Sequence, residues 1–243
     1  MKPEAFVHLP GLRDGIVPPG QSALRVTPEV MAMWDERARQ MGRPADWRLP
    51  DAVVEASRRA ALAGRDPAHD LWIYAYGSLM WDPALYFEEV RRARLAGHRR
   101  RFTFRTHIGR GSPECPGLML SIEPRPGDCE GLAFRIAAER VETESAILWR
   151  REMLRGAYTP RLLPVATPQG GITALVFVSN PAHPDHVAEL PLAQTAHTIA
   201  RAEGVMGRNR DYVDQLARQL SGLGIVDDDI ERLVAELQRQ GKG

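Results

Sequence analysis

The chain has 243 residues, 44% hydrophobic and 26% charged, ordinary values for one globular domain or one domain with an appendage. Lys and Arg total 32 against 31 Asp and Glu, a formal charge of +1, so no global field recruits nucleic acid or an anionic membrane. The opening residues hold no apolar stretch of signal-peptide type. The apolar run from Leu71 to Trp81 is too short to span a bilayer. A longer uncharged stretch, Leu162 to His183, is broken by Pro164, Pro168, Gly170 and Gly171 and reads as two strands and a turn. The two cysteines, Cys115 and Cys129, lack metal-like spacing and point to a reducing compartment. The seven histidines are scattered, so no metal site is expected. The class expected is a soluble cytoplasmic protein.

Residues 1–70 hold eight of the nineteen prolines and two helical patterns, Pro28 to Met41 and Pro50 to Ala63, each opened by proline. They are expected to form an extension that packs on a core domain of residues 71–243. From Leu71 the texture turns strand-rich. LWIYAY reads as a short buried strand ended by Gly77-Ser78. Residues 101–106 alternate with period two, placing Phe102 and Phe104 on one face. GLMLSI (117–122) and GLAFRI (131–136) read as two strands separated by Pro124, Pro126 and Gly127. A helix is predicted from Val141 to Arg155, ended by Gly156. Strands at 161–165 and 172–179 flank the Gln169-Gly170-Gly171 turn, and helices at 184–203, 209–221 and 226–239 complete the chain. Strands first and helices last argue an α+β fold with strands short enough for a small barrel.

Few residues stand out for chemistry. Gly77, just past a buried strand, lets the backbone of Tyr76-Gly77-Ser78-Leu79 turn sharply and bring N–H groups close to an anionic ligand, though such a glycine also serves a plain turn. Glu152 falls on nearly the same helical stripe as Val141 and Leu148, so a carboxylate stands where the pattern expects core. It is either a buried acid with a raised pKa or one half of a surface ion pair with Arg150, Arg151 or Arg155. Arg99, Arg100, Arg101, Arg105 and Arg110 could line an anionic pocket, but solvated strand faces account for most of them. Tyr158 and Tyr212 are polar-tipped aromatics near loop ends, and the Phe and Trp positions are assigned to core.

Five ordered blocks carry a resemblance: WIYAYGSLMWDPAL, GHRRRFTFRTHIGRGSPECPGLMLSI, EGLAFRI, LWRREMLRGAYTPRLLPV and GRNRDYV. Together, over about residues 71–220, they resemble the ChaC family of γ-glutamylcyclotransferases that act on glutathione. The resemblance implies a γ-glutamylcyclotransferase-like small mixed β-barrel with flanking helices. It implies that Tyr76, Gly77, Ser78 and Leu79, with the preceding Ile73, Tyr74 and Ala75, hold the γ-glutamyl group. It also places Glu152 as the catalytic acid/base, with Tyr158 and Tyr212 near the pocket. Glutathione is then the small-molecule partner, with neither nucleic acid nor membrane. No hydride, electron or phosphoryl group moves in that reaction, so no cofactor is implied. Rival expectations are a cyclotransferase for other γ-glutamyl peptides or γ-glutamylamines, and a catalytically silent γ-glutamyl-binding module.

Overall fold

A computed structural model describes residues 2–241. The chain divides into two compact units, one of Met1–Arg94 with Leu132–Val178, the other of Leu95–Gly131 with Ser179–Gly243. Five strands, β1 (Leu71–Ala75), β2 (Glu89–Thr106), β3 (Gly117–Ile136), β4 (Tyr158–Thr167) and β5 (Gly170–Ser179), close into a barrel in the order β1-β3-β2-β4-β5. β1 runs antiparallel to β3, with Leu71 opposite Ile136 and Ala75 opposite Leu132, and parallel to β5, with Ile73 opposite Leu175. The barrel is therefore mixed. A strand bonded on both sides with little exposed face needs an almost unbroken apolar sequence, which LWIYA supplies.

The first unit also carries α1 (Pro28–Gln40), α2 (Asp51–Leu62) and α3 (Val141–Glu152). α1 has Pro28 at its first position and the Thr27 hydroxyl accepting from the Val30 N–H, so its N-terminus is capped by side chain and ring together. Before α1 the chain makes three short 3-10 turns, which bury Phe6, Leu12 and Pro19, and the segments after them bury Ile16 and Val26. Phe6 meets Phe87 edge-on at 5.6 Å, and Phe87 meets Phe134 at 4.8 Å.

In the second unit, residues 95–106 of β2 and 117–131 of β3 join α4 (Leu192–Arg201), the short hairpin β6 (Glu203–Gly204) and β7 (Gly207–Arg208), α5 (Asn209–Gly222) and α6 (Asp228–Gln240). α6 buries Ile230, Leu233 and Leu237 on one stripe, and Asp227 caps it by accepting from the Ile230 N–H. A Cβ on Gly204 would strike the carbonyls of Gly109 and Gly111, so only glycine lets that hairpin lie against the 107–116 loop. Among the described residues no helix is long and apolar enough to cross a membrane.

Four expectations are corrected. β3 runs unbroken through Pro124, Pro126 and Gly127, because all three positions are exposed and an edge tolerates a missing N–H; Gly127 supplies φ +124° there. The helix expected at 184–203 starts only at Leu192. Residues 185–187 instead pair with the end of β2: Arg105 donates to the Asp185 carbonyl and Val187 to Thr103. α3 stops at Glu152, three residues early, and the Leu154 carbonyl accepts from the Leu49 N–H rather than from a further turn. Of the five tryptophans only Trp149 is fully buried; Trp34, Trp47, Trp72 and Trp81 are half-buried, with Arg91 lying over the Trp72 ring at 4.6 Å.

Candidate active site

The site is built in the first unit, where β1 runs out. After Ala75 the ladder to β3 ends, and Tyr76 and Gly77 are still buried as the chain turns. A 3-10 turn over Ser78–Met80 follows, closed by Met80 donating to the Gly77 carbonyl and by Trp81 and Asp82 donating to that of Ser78. The first amides of such a turn have no acceptor within it, so those of Gly77, Ser78 and Leu79 lie at its open end. Ile73, Tyr74 and Ala75 carry this turn from within the barrel wall and are buried to 1% exposure or less.

The turn is held from α3. Arg151 donates to the Ser78 hydroxyl oxygen at 2.9 Å and to the Asp82 carbonyl at 2.6 Å, while its Nε lies 3.0 Å from Glu152 Oε1. One guanidinium thus binds loop and acid together, using its planar fork. Glu144 stands seven residues before Arg151, two helical turns away on the same face. It accepts from the Tyr86 N–H at 3.1 Å, so α3 grips both ends of the segment from Ser78 to Tyr86.

Glu152 ends α3 and keeps 15% of its side-chain surface, against 8% for Arg151. Burial pushes its carboxyl above the usual carboxylate range, and the adjacent Arg151 cation only partly opposes this. Apart from Arg151 it has no polar partner among the described residues. Both readings of Glu152 in the sequence are therefore partly right: it is ion-paired to Arg151, and it is a desolvated acid.

Tyr76 and Tyr158 converge on one residue of β5. The Tyr76 hydroxyl donates to the Phe177 carbonyl at 2.8 Å, and Tyr158, buried at the start of β4, meets the Phe177 ring edge-on at 6.4 Å. Trp149 of α3 meets the same ring at 5.1 Å. Phe177 sets where α3, β4 and the end of β1 meet, and the sequence showed it only as a core aromatic. Arg151 as the joint between loop and acid was also missed, since its partner Ser78 lies 73 residues away and nothing local marks it.

Tyr212 lies in the second unit, half-buried on α5 and edge-on to Phe102 at 6.2 Å. Asn209, three residues earlier, is buried; its Oδ1 accepts from the Leu118 N–H at 2.7 Å and its Nδ2 donates to the Leu118 carbonyl at 3.0 Å. The side chain thus completes a strand's hydrogen bonds, which gives this part of the GRNRDYV block a structural reason. Arg100, expected on a solvated face, is instead fully buried, paired with Asp227 at 2.8 Å and bonded to the Glu130 carbonyl. Alternation sets Arg100 on the buried face of Phe102 and Phe104, and on the other face Thr103 is buried beside Ser121. Among the described residues no group of three His, Cys, Asp or Glu side chains could hold a metal ion.

Comparison with known proteins gives the family and the fold. Residues 71–240 match the family model described as ChaC-like protein. The glutathione-specific γ-glutamylcyclotransferase of Escherichia coli K12 is 37% identical over 185 residues, 76% of this chain and 80% of that protein. The glutathione-specific γ-glutamylcyclotransferase 1 of Mus musculus is 32% identical over 170 residues, covering 68% and 76%. The crystal structure of a yeast γ-glutamyl cyclotransferase specific to glutathione superposes with a TM-score of 0.65 at 19% identity, over 70% of this chain and 96% of that one, and so shares the fold. With most of its length matched by the family model, the chain belongs to the ChaC-like family.

Proposed function

We propose that this protein is a γ-glutamylcyclotransferase that converts glutathione to 5-oxoproline and Cys-Gly. The observation that carries the reading is Glu152, an acid with a raised pKa held by Arg151 against the turn that follows β1. Relatives of matching length named for this activity support it.

The reaction is a ring closure. The α-amine of the γ-glutamyl group attacks its own γ-carbonyl carbon; the new C–N bond closes the lactam as the bond to the cysteine nitrogen breaks. Near neutral pH that amine is mostly protonated and cannot attack. Glu152 as carboxylate takes, one before attack and one after, the two protons the attacking nitrogen loses, and as carboxylic acid returns each to the leaving nitrogen, so protons balance over the cycle. A desolvated carboxyl suits this role, since burial raises its pKa and so brings proton return to the leaving nitrogen into reach. The open amides of Gly77, Ser78 and Leu79 fix the substrate α-carboxylate. Tyr76 and Tyr158 wall the γ-glutamyl chain, and holding amine and carbonyl in near-attack geometry supplies much of the remaining acceleration. Ile73, Tyr74 and Ala75 position the turn. Both cysteines are thiols rather than half-cystines, which suits a cytoplasmic enzyme working beside a thiol substrate.

The test is to incubate the purified protein with glutathione and follow 5-oxoproline and Cys-Gly by mass spectrometry, with Glu152→Gln alongside. Product from the wild type and none from the variant is the expected result. Product from both removes Glu152 from the mechanism. A folded wild type that spares glutathione but cyclises γ-glutamyl-alanine moves the assignment to other γ-glutamyl peptides, and no product from either leaves a silent binding module.

A further inference from the structure

Residues 1–70 lie outside the stretch matched by the family model, yet they meet the supports of the site. Val17 donates its N–H to the Trp81 carbonyl at 2.8 Å. Arg25 donates from Nη1 to the Ala84 carbonyl and to Glu144 Oε2, both at 2.7 Å, and from Nη2 to Glu144 Oε1 at 2.9 Å. Its guanidinium also lies 4.6 Å from the centre of the Tyr86 ring. Glu144 is only 3% exposed, and its Oε2 also accepts from the Tyr86 N–H. Ala84 is buried at φ +58°, the sole non-glycine at positive φ among the described residues. A backbone held there against its preference needs an external tie, and the Arg25 bond to its carbonyl is one.

Two pins therefore fasten the Ser78–Tyr86 segment to α3. The near pin is Arg151, which also holds Glu152. The far pin is Glu144, and it closes only because the N-terminal segment brings a cation to it: a carboxylate this buried is held by its partner or not at all. Glu144, Arg151 and Glu152 share one short rigid helix. A shift at the far pin therefore passes to the distance between Glu152 and the turn it serves.

We propose that Arg25 is a positioning residue for cyclotransfer, the N-terminal segment using it to hold the Ser78–Tyr86 segment on α3 and so to set Glu152 against the Tyr76–Leu79 turn. This rests on the functional reading above. A purely structural ion pair would lower stability and leave turnover per folded molecule alone, and the experiment separates the two.

Three variants are compared with the wild type: Arg25→Met, Arg25→Lys, and Arg25→Met/Glu144→Gln, which buries no unpaired charge and keeps the amide able to accept from Tyr86. Turnover per folded molecule and amide hydrogen exchange over residues 80–86 are measured on each. In the folded double variant kcat should fall about tenfold with KM nearly unchanged, the cost of a small misplacement, and exchange should quicken about tenfold. Arg25→Lys, which keeps the charge without the fork, should recover part of both. A double variant with wild-type kcat and wild-type exchange overturns the proposal, as does faster exchange with unaltered kcat. A wild type that makes no 5-oxoproline breaks the functional reading instead, and the exchange arm then decides whether Arg25 holds the segment.

Discussion

Two arginines, one in each unit, use similar partners to opposite ends. Arg100 in the second unit is fully buried; it pairs with Asp227 through Oδ2, while Oδ1 of the same carboxylate caps α6, and another arm ends on the Glu130 carbonyl. Both oxygens of its partner are used by the fold. Arg151 in the first unit holds the Ser78 hydroxyl and the Asp82 carbonyl, and meets Glu152 through one oxygen only. Glu152 has no other polar partner among the described residues, and burial pushes its pKa up. A buried acid whose hydrogen bonds are saturated stabilises structure; one left under-coordinated and desolvated is poised to exchange a proton.

The largest test of this contrast is Glu152→Gln. Losing general acid/base action should lower kcat by about a thousandfold. Stability should move the other way. Between the ordinary carboxylate pKa and the raised one, the native state holds a proton that the unfolded chain has released, so stability falls as pH rises through that window. Above the window the native state carries the full cost of a buried charge. Glu152→Gln removes that cost, and its thermal midpoint at neutral pH should equal or exceed the wild type's while the wild type gains on it below the window. A variant clearly less stable at neutral pH would make Glu152 a structural ion-pair partner and break the contrast.

Arg100→Met comes next, with the opposite signature. Removing one member of a buried pair typically costs about 3–5 kcal/mol, and here it also strips the cap residue of α6 of its counter-ion. Urea unfolding should register that loss, with turnover per folded molecule within about twofold of wild type. Unchanged stability together with lost turnover would reverse the roles given to the two arginines.

The sequence made the scaffold of this comparison legible but not its joints. β1 could be read because a strand bonded on both sides needs a run such as LWIYA, and α6 because Ile230, Leu233 and Leu237 repeat at helical spacing. The turn at Gly77 and the oddly placed Glu152 were visible for the same reason, each departing from a local pattern. Arg151 was not, since a charged residue beside charged neighbours at a helix end carries no local anomaly. Its meaning comes from Ser78, 73 residues away. Arg25 is more remote still, 119 residues from Glu144, and Arg100 read as solvated from its charge, although alternation sets it on the face of Phe102 and Phe104, because its partner Asp227 lies 127 residues away. Period and punctuation are local, whereas the pairing of buried charges is set only once the chain has folded.

Arg151→Met sharpens the comparison from the other partner. The cation beside Glu152 draws its pKa down, against burial; without it the carboxyl should titrate higher still. The acid limb of the kcat profile, which reports ionisation of the base, should move to higher pH. Loss of the bond to Ser78 should add a drop in kcat of about 10- to 100-fold at the new optimum. An unmoved acid limb would mean that another group sets it.

The smallest expected effect concerns the turn itself. Gly77 has φ −133° and ψ −134°, so no left-handed backbone calls for glycine there. What glycine withholds is a Cβ beside the amides that receive the substrate carboxylate. In Gly77→Ala that methyl group keeps the ligand at a distance while leaving Glu152, its pKa and its Arg151 contact untouched. The substrate carboxylate is held alike in the ground and transition states, so losing part of its binding should raise KM by about tenfold and spare kcat. Steady-state kinetics on glutathione, run at the pH optimum, read the two constants apart. If kcat fell with KM, the turn's amides would be bonding to charge that develops during the reaction, as an oxyanion site does, and binding and chemistry in this unit would share one element rather than two.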